Sequence, residues 1–262
     1  MPLILPSPIV RFVDGAALVA DKIGESPCSV SSFRRGNDRF FLKWSPPRLA
    51  ATTYGVLREA SVLDWLSGRL AVPEVVMTAE DESGQFMVTR ALPGEPLFRR
   101  IDEGLPVREL FQEALRLVAA VPANGCPFDS TIPVRLEELA CLIDEGLIAD
   151  DHDLGQRLDS GPAPMDPPGL LRHLQATRPA ETPLFSHGDL CDSNIFLDDR
   201  DRLAFIDLGR GGLADPWLDI AFVYRNLREE VSEAEAGLFL SSLDRPDDPA
   251  RRLYFEQLDE LF

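Results

Sequence analysis

The 262-residue sequence is poor in several residue types that would define other classes of protein. It contains only two lysines, Lys22 and Lys43, and its 26 basic side chains face 44 acidic ones, which gives a formal net charge of −18. A nucleic-acid binder needs a basic surface that displaces the counterions of the phosphates, and docking on an anionic membrane needs one as well. The charge therefore argues against both classes and favours cationic partners.

Long apolar runs and paired cysteines are also missing. No segment approaches the roughly 18 apolar residues of a membrane span, and prolines at positions 2, 6 and 8 interrupt the apolar start, which is not typical of a signal peptide. The cysteines, at positions 28, 126, 141 and 191, form no CxxC pair, and the histidines do not cluster with them. A zinc site is therefore not indicated, and we expect reduced thiols in the cytoplasm.

Periodicity divides the chain into a strand-rich first third and a mainly helical remainder. Residues 30–34 and 39–44 surround a Gly/Asn/Asp reversal and predict a hairpin. Apolar residues at helical spacing then predict a helix from about Thr53 to Leu66, and further strands are predicted at 73–77 and 85–89. The Pro/Gly stretch at 93–96 marks a boundary. The sequence therefore predicts an α+β protein with a small β-rich lobe, residues 1–92, and a larger, mainly helical lobe, residues 93–262.

The second half contains shorter predicted elements. Short β-prone runs at 184–186, 195–197 and 203–206 flank polar turns, and a helix is predicted from Trp217 onward. Residues 150–169 are rich in Asp, Gly and Pro, which predicts a solvated loop.

The most informative stretch is His187-Gly188-Asp189-Leu190, followed by Asn194 and, one predicted hairpin later, by Asp207-Leu208-Gly209. Kinase catalytic loops have the form H-x-D-L-x-x-x-N, and their metal-binding motif D-F-G lies one hairpin downstream. Phosphoryl transfer needs one carboxylate beside the attacking hydroxyl and further oxygen ligands that hold Mg²⁺ against the phosphates. Asp189 fits the first role, and Asn194 with Asp207 fits the second.

A kinase also needs a lysine on a strand, which holds the α- and β-phosphates, and a helical glutamate that pairs with it. Lys43 lies in the predicted strand 39–44, and Glu59 lies in the helix that follows. Taken singly, Lys43 is typical of a snorkelling surface lysine, Glu59 of a solvated helix face and the HGD motif of a polar turn. Their common order along the chain favours the kinase interpretation. We interpret His187 as a residue that braces the loop through its ring nitrogens.

At these motifs the sequence resembles the aminoglycoside 3′-phosphotransferases, antibiotic-resistance kinases with a two-lobed, protein-kinase-like fold. The similarity spans most of the chain and is densest at 185–196, at 205–210 with 214–215 and 219–221, and at 258–262. The resemblance implies phosphorylation of the 3′-hydroxyl of a kanamycin- or neomycin-like aminoglycoside, with ATP and Mg²⁺. The corresponding expectation is a cytoplasmic enzyme that is a monomer or a weak homodimer, with no nucleic-acid or membrane partner.

The same resemblance implies that the lobe of residues 1–92 binds the nucleotide and that the lobe of residues 93–262 is catalytic and binds the aminoglycoside. It also implies roles for individual residues. Asp189 would be the catalytic base or would orient the hydroxyl, and Asn194 and Asp207 would hold magnesium. The residues that would bind the nucleotide are Ser26 in the loop before the first hairpin, Phe41 stacked on adenine, Lys43, Glu59, and Ala91, whose backbone would meet the adenine edge. The residues that would bind the antibiotic are Asp153, Gln156, Asp192, Arg210, Glu229, Glu230, Glu260 and the terminal carboxylate of Phe262.

The distribution of charge agrees with a cationic acceptor. Residues 1–100 carry 11 acidic and 12 basic side chains, whereas residues 101–262 carry 33 acidic and 14 basic ones. An acidic cleft in the second part would attract a polycation, and a neutral first part would not repel ATP. The alternative is that the acidity only improves solubility.

Other functions share part of this pattern. A kinase of another small hydroxylated metabolite would use the same phosphate-binding residues, and a pseudokinase would bind nucleotide without transfer. The intact set of Lys43, Glu59, Asp189, Asn194 and Asp207 argues against the pseudokinase. A protein kinase is disfavoured because no A-P-E-like segment follows Asp207.

Overall fold

The computed structural model describes residues 4–21, 28–148 and 166–260. Internal contacts divide the chain into two units, the first within Met1–Leu97 and Ser193–Gly211, the second within Phe98–Asp192 and Gly212–Phe262. The segment that carries Asn194 and Asp207 therefore belongs to the first unit, although it follows the catalytic loop along the chain. The division into a nucleotide-binding lobe, residues 1–92, and a catalytic and aminoglycoside-binding lobe, residues 93–262, stays a prediction.

An antiparallel sheet is the centre of the first unit. Up to residue 97, the first unit consists of α1 (Ser7–Val13), β1 (Val19–Ala20), β2 (Ser29–Arg35), β3 (Asp38–Ser45), α2 (Val56–Leu66), β4 (Val75–Asp81), β5 (Gly84–Arg90) and β6 (Glu95–Pro96). The strands pair in the order β1-β2-β3-β5-β4. The predicted hairpin is confirmed, since β2 pairs with β3 antiparallel, and the two further predicted strands correspond to β4 and β5, which also pair antiparallel.

The two faces of β3 separate the core from the functional side chains. Phe40 and Leu42 are buried and pack with Ile9 of α1, Phe33 and Val88 in one apolar cluster. Successive residues of a strand point to opposite faces, so Phe41 and Lys43, which alternate with Phe40 and Leu42, lie on the other face of the sheet. This alternation leaves β3 with one face for the core and one for a site.

The helices of the second unit surround one buried helix. The chain passes through α3 (Phe98–Asp102), α4 (Arg108–Ala119), α5 (Ile132–Asp144), α6 (Pro167–Thr177) and β7 (Leu184–Ser186), and returns to the first unit for β8 (Ile195–Leu197) and β9 (Leu203–Phe205). It then forms β10 (Gly212–Ala214), α7 (Trp217–Glu230), α8 (Glu233–Ser241) and α9 (Pro249–Asp259). Residues 217–224 of α7 are all buried, which is typical of a central helix, and α8 and α9 pack against it.

These elements confirm the predicted α+β class, with strands prevailing in the first unit and helices in the second. The prediction of a loop over residues 150–169 is wrong at its end, because Pro167–Gly169 form the first turn of α6. The Asp166 side chain caps that turn by accepting a hydrogen bond from Gly169 N at 2.8 Å, and proline is favoured in a first turn. The preceding part of the predicted loop lies outside the described residues. Among the described helices, none is both long and apolar enough to span a membrane.

Candidate active site

Lys43 lies at the centre of an ionic cluster in the first unit. Its Nζ donates to both carboxylate oxygens of Glu59, at 2.7 and 3.0 Å, and to Oδ1 of Asp207 at 3.1 Å. The three residues come from β3, α2 and the segment after β9. The side chains of Lys43 and Glu59 are 17% and 7% exposed, whereas that of Asp207 is 50% exposed. A mostly buried pair is therefore joined by a carboxylate that also faces solvent.

Burial and charge act in opposite directions on this cluster. Burial by itself would lower the pKa of Lys43, but the carboxylates of Asp207 and Glu59 outweigh it and raise the pKa above its ordinary value of 10.5. Burial raises the pKa of Glu59 above its ordinary value, and the Lys43 ammonium opposes that change. The ammonium of Lys43 therefore stays protonated throughout the physiological pH range.

A tight turn presents Asp207 to this cluster. Asp207 has φ 59° and ψ 53°, a left-handed conformation that aspartate tolerates better than most side chains and that is often found at functional sites. The helical turn Leu208–Arg210 follows, and a Cβ at Gly209 would lie 2.6 Å from the Thr53 carbonyl oxygen. The approach of that carbonyl requires glycine in the Asp-Leu-Gly motif.

Asn194 lies at the same end of the β8–β9 hairpin as Asp207. Ile195 pairs with Phe205, and the Asn194 carbonyl accepts a hydrogen bond from Ile206 N at 3.0 Å. The residue is 6% exposed. One charged and one neutral oxygen donor therefore flank the ends of two adjacent strands, a donor set that fits Mg²⁺. Within the described residues, no group of three or more His, Cys, Asp or Glu side chains is arranged to hold a metal ion. Magnesium is usually bound by one or two carboxylates together with substrate phosphates and water.

The other predicted nucleotide residues of the first unit lie on β3, the central strand of this sheet, and directly after the adjacent strand β5. Phe41 is half-buried on β3, with the Arg39 guanidinium 4.9 Å from its ring centroid. Ala91 follows β5, and its N–H donates to the Arg39 carbonyl at 2.9 Å. Ser26 lies outside the described residues.

The catalytic loop of the second unit is held by buried polar groups. His187 is fully buried, and its Nδ1 accepts a hydrogen bond from Asp189 N at 3.3 Å, so the ring braces the loop as expected. The Asp219 carboxylate accepts from His187 N at 2.9 Å and from Gly188 N at 3.0 Å. Asp189 itself is half-buried. The main-chain N–H groups of three successive residues, His187, Gly188 and Asp189, are therefore fixed at the point where the Asp189 side chain begins.

The predicted antibiotic-binding residues of the second unit are distributed over three segments. Asp192 N donates to the Asn226 side-chain oxygen at 2.8 Å. Glu229 and Glu230 are exposed at the end of α7, and Glu260 follows α9. Carboxylates at the carboxyl end of a helix meet the negative pole of its dipole, so this end of α7 favours a cation. Asp153, Gln156 and Phe262 lie outside the described residues.

Arg225 connects two of these segments. Burial opposes its charge, but Asp259, Glu229 and Glu260 together raise the pKa of Arg225 above its ordinary value. Its guanidinium donates to Oδ2 of Asp259 at 2.5 Å. Glu229 and Glu260 therefore lie in the electrostatic neighbourhood of one arginine.

The structure places Arg210 in the first unit, beside Tyr54. Its guanidinium donates to the Tyr54 hydroxyl at 2.9 Å and lies 5.4 Å from the centroid of that ring. Arg210 is thus fixed next to the turn that carries Asp207.

Comparisons with known proteins agree with this geometry. The model of the phosphotransferase enzyme family matches residues 25–254. An aminoglycoside 3′-phosphotransferase of Acinetobacter baumannii is 43% identical over 98% of this chain and 99% of its own length. One of Enterococcus faecalis is 35% identical over 96% of each. The chain belongs to the aminoglycoside phosphotransferase family. A crystal structure of an aminoglycoside-3′-phosphotransferase of type VIII, 30% identical, covers 95% of this chain with a TM-score of 0.79, so the expected kinase-like fold is confirmed.

The sequence did not predict four residues whose hydrogen bonds hold the catalytic loop or the predicted binding segments. Asp219 was noted only as part of the family pattern, although a single aspartate among the apolar residues of the predicted helix after Trp217 is a signal for a buried hydrogen-bonding role. Asn226, Arg225 and Arg135 had no comparable signal, because polar residues on a predicted helix are usually solvated.

Proposed function

We propose that this chain transfers the γ-phosphoryl group of ATP to the 3′-hydroxyl of kanamycin- or neomycin-type aminoglycosides and thereby confers resistance to them. The observation that carries the proposal is the Lys43 ammonium held by both Glu59 and Asp207. A strand lysine fixed by a helical glutamate is the part of a kinase that grips the nucleotide phosphates. Relatives named aminoglycoside 3′-phosphotransferase over nearly the whole chain support the choice of acceptor.

In the proposed reaction, the first unit binds the nucleotide. Phe41 stacks on adenine, the Ala91 backbone meets the adenine edge, and Ser26 contacts the phosphates. Lys43 neutralises negative charge on the α- and β-phosphates, and Glu59 holds the ammonium in place. Because Lys43 stays charged, this contact persists over the whole working pH range.

Asp189 accepts the proton of the attacking hydroxyl, or orients that hydroxyl, while the bond to the γ-phosphorus forms and the bond to the leaving ADP oxygen breaks. Asn194 and Asp207 would hold Mg²⁺, which supplies positive charge to the phosphates when bound. Asp207 has two tasks in this scheme, since its carboxylate also accepts from Lys43.

Asp192, Glu229, Glu230 and Glu260 bind the ammonium groups of the antibiotic, together with Asp153 and the carboxylate of Phe262. Gln156 and Arg210 belong to the same antibiotic site, where the cationic Arg210 serves as a hydrogen-bond donor to uncharged oxygens. The exposed position of Glu229 and Glu230 suits charge pairs that form as the antibiotic arrives. A matched test compares Glu230→Gln with Glu103→Gln. Glu103 is exposed, follows α3 directly and has no assigned role. The first is expected to raise KM for kanamycin, whereas the second leaves it unchanged.

A coupled assay of ADP release with ATP and kanamycin tests the activity. Wild type is expected to turn over only when the antibiotic is present, and Asp189→Ala is expected to lose at least about 100-fold in kcat. A folded wild type that releases ADP at the same rate with and without antibiotic would contradict the proposal, and so would undiminished turnover by Asp189→Ala. Turnover with sugars or amino alcohols alone would favour the metabolite kinase.

Phosphorus and proton NMR of the kanamycin product test the regiochemistry. A phosphate bonded to the 3′-oxygen is expected, and a phosphate on another hydroxyl would contradict that part of the proposal. The proposal includes a cytoplasmic location, because ATP is supplied there, and a monomer or weak homodimer without nucleic-acid or membrane partners. Light scattering during size-exclusion chromatography checks the oligomeric state.

A further inference from the structure

Arg135 is a buried charged residue to which the proposed reaction gives no task. It lies on the first turn of α5 and is 2% exposed. A buried guanidinium is costly unless hydrogen bonds replace its hydration, so its acceptors show what it holds in place. Nε donates to the Ser130 carbonyl at 3.1 Å, and a terminal nitrogen donates to the Gly188 carbonyl at 3.3 Å.

The second acceptor belongs to the peptide that precedes the proposed catalytic aspartate. The Gly188 carbonyl and the Asp189 N–H are the two ends of one planar peptide unit. Arg135 donates to its oxygen, and Nδ1 of His187 accepts from its N–H. The plane that precedes Asp189 is therefore held on both sides by buried side chains.

The neighbouring peptides are fixed separately. Asp219 accepts the N–H groups of His187 and Gly188. Gly188 has φ +85°, a conformation that glycine adopts readily. Because glycine has no Cβ, the adjacent peptide units would rotate more freely without such contacts. Arg135 is a cationic hydrogen-bond donor to the main chain of residues 187–189, and a charged donor makes a stronger hydrogen bond than a neutral one.

We propose that Arg135 is a positioning residue for phosphoryl transfer, which sets the orientation of the Gly188–Asp189 peptide and thereby aims the Asp189 carboxylate. The inference rests on the proposed function. A positioning contact acts on the geometry of the reacting groups, where a displacement of about 1 Å costs on the order of 100-fold in rate. It does not bind ATP or antibiotic, so its loss lowers kcat and leaves both KM values in place.

Steady-state kinetics of Arg135→Met and Arg135→Lys test this proposal. Methionine fills the space without donating, and lysine keeps one charged donor. We expect kcat to fall about 10–100-fold for Arg135→Met, a smaller loss for Arg135→Lys, and KM values for ATP and kanamycin within about twofold of wild type. Leu139→Ala, on the same helix and fully buried, is the matched control for lost stability. It should lower the melting temperature while leaving kcat intact well below that temperature.

Equal kcat values for Arg135→Met and wild type, or no recovery by lysine, would overturn the proposal. So would a fall in kcat for Leu139→Ala equal to that for Arg135→Met. NMR provides a readout that does not depend on turnover: the amide resonances of Gly188 and Asp189 should move in Arg135→Met and stay in place in Leu139→Ala. If wild type fails to phosphorylate any aminoglycoside, the proposed function fails, and these resonances still decide whether Arg135 orients the loop.

Discussion

Removal of the Lys43 ammonium should destabilise the protein in a way that depends on pH. In Lys43→Met, Glu59 keeps its buried position, 7% exposed, without the donor that lies 2.7 Å from Oε1. Breaking a buried pair by removal of one partner typically costs about 3–5 kcal/mol. Glu59 can limit this cost by taking up a proton, and the burial that raises its pKa favours that response.

The limit follows from the ordinary pKa of 4.5 for a glutamate. Protonation costs about 1.36 kcal/mol for each pH unit above that value, so the penalty is at most about 5 kcal/mol at pH 8 and about 1.4 kcal/mol at pH 5.5. The sign is that of a carboxylate with a raised folded-state pKa: the folded variant gains stability relative to wild type as pH falls. Glu59→Gln leaves Lys43 with Asp207 and should cost only about 1 kcal/mol at either pH.

Urea unfolding followed by tryptophan fluorescence measures these free energies, with Trp44 on the same strand as one reporter. The double variant Lys43→Met/Glu59→Gln is the control, because it removes the buried charge together with its partner. At pH 8 it should be more stable than Lys43→Met alone. A loss for Lys43→Met that is the same at pH 8 and pH 5.5, or a double variant that loses the sum of the single losses, would refute the reasoning.

Three further outcomes follow from single contacts. Gly209→Ala should lower the free energy of unfolding by about 1–3 kcal/mol, because its Cβ would lie 2.6 Å from a backbone oxygen. Gly237→Ala, on α8, places its Cβ in open space and should raise the free energy of unfolding by about 0.5–1 kcal/mol. Urea unfolding measures both changes. Hydrogen bonds from Arg202 lower the pKa of Asp198 to about 2, so Asp198→Asn should have a lower melting temperature than wild type at pH 5. This difference should vanish as pH falls through about 2. A difference that does not change with pH would contradict the assignment. Asp219→Asn, which cannot accept both loop N–H groups with two carboxylate oxygens, should lower kcat about 100-fold at unchanged KM in the coupled assay, and a fall in affinity alone would contradict a role in holding the loop.

The sequence predicted well where the signal is local. The hairpin of β2 and β3 follows from two β-prone runs around a short reversal. The pairing of Lys43 with Glu59 was expected from the order of the kinase motifs along the chain, and their hydrogen bond agrees with it. The motif from His187 to Asn194 carries residue types that phosphoryl transfer requires at fixed spacing. The end of the predicted loop at 150–169 was wrong, because Asp, Pro and Gly are typical of loops and also of a capped first helical turn.

Contacts between distant parts of the chain could not be predicted in this way. The pairing of β7 with β10, the hydrogen bond from Arg210 to Tyr54 and the two hydrogen bonds to Asp219 join residues that share no periodic pattern. A periodic pattern tells which face of an element is buried, but it does not tell which partner lies opposite. Arg135 is an example, since its helix predicts a buried face and gives no reason for an arginine on it.

The sequence by itself determined the class of protein, the order of the kinase motifs and the excess of acidic residues in residues 101–262, because composition and residue spacing do not depend on folding. Only the tertiary structure decided that Asp207 shares the Lys43 ammonium with Glu59, that the segment 193–211 belongs to the first unit, and that Asp219 and Arg135 hold the loop before Asp189. The physical reason is that hydrogen bonds and ion pairs act over a few ångströms in space, and only the packing of helices and strands brings residues that are far apart in sequence within that range.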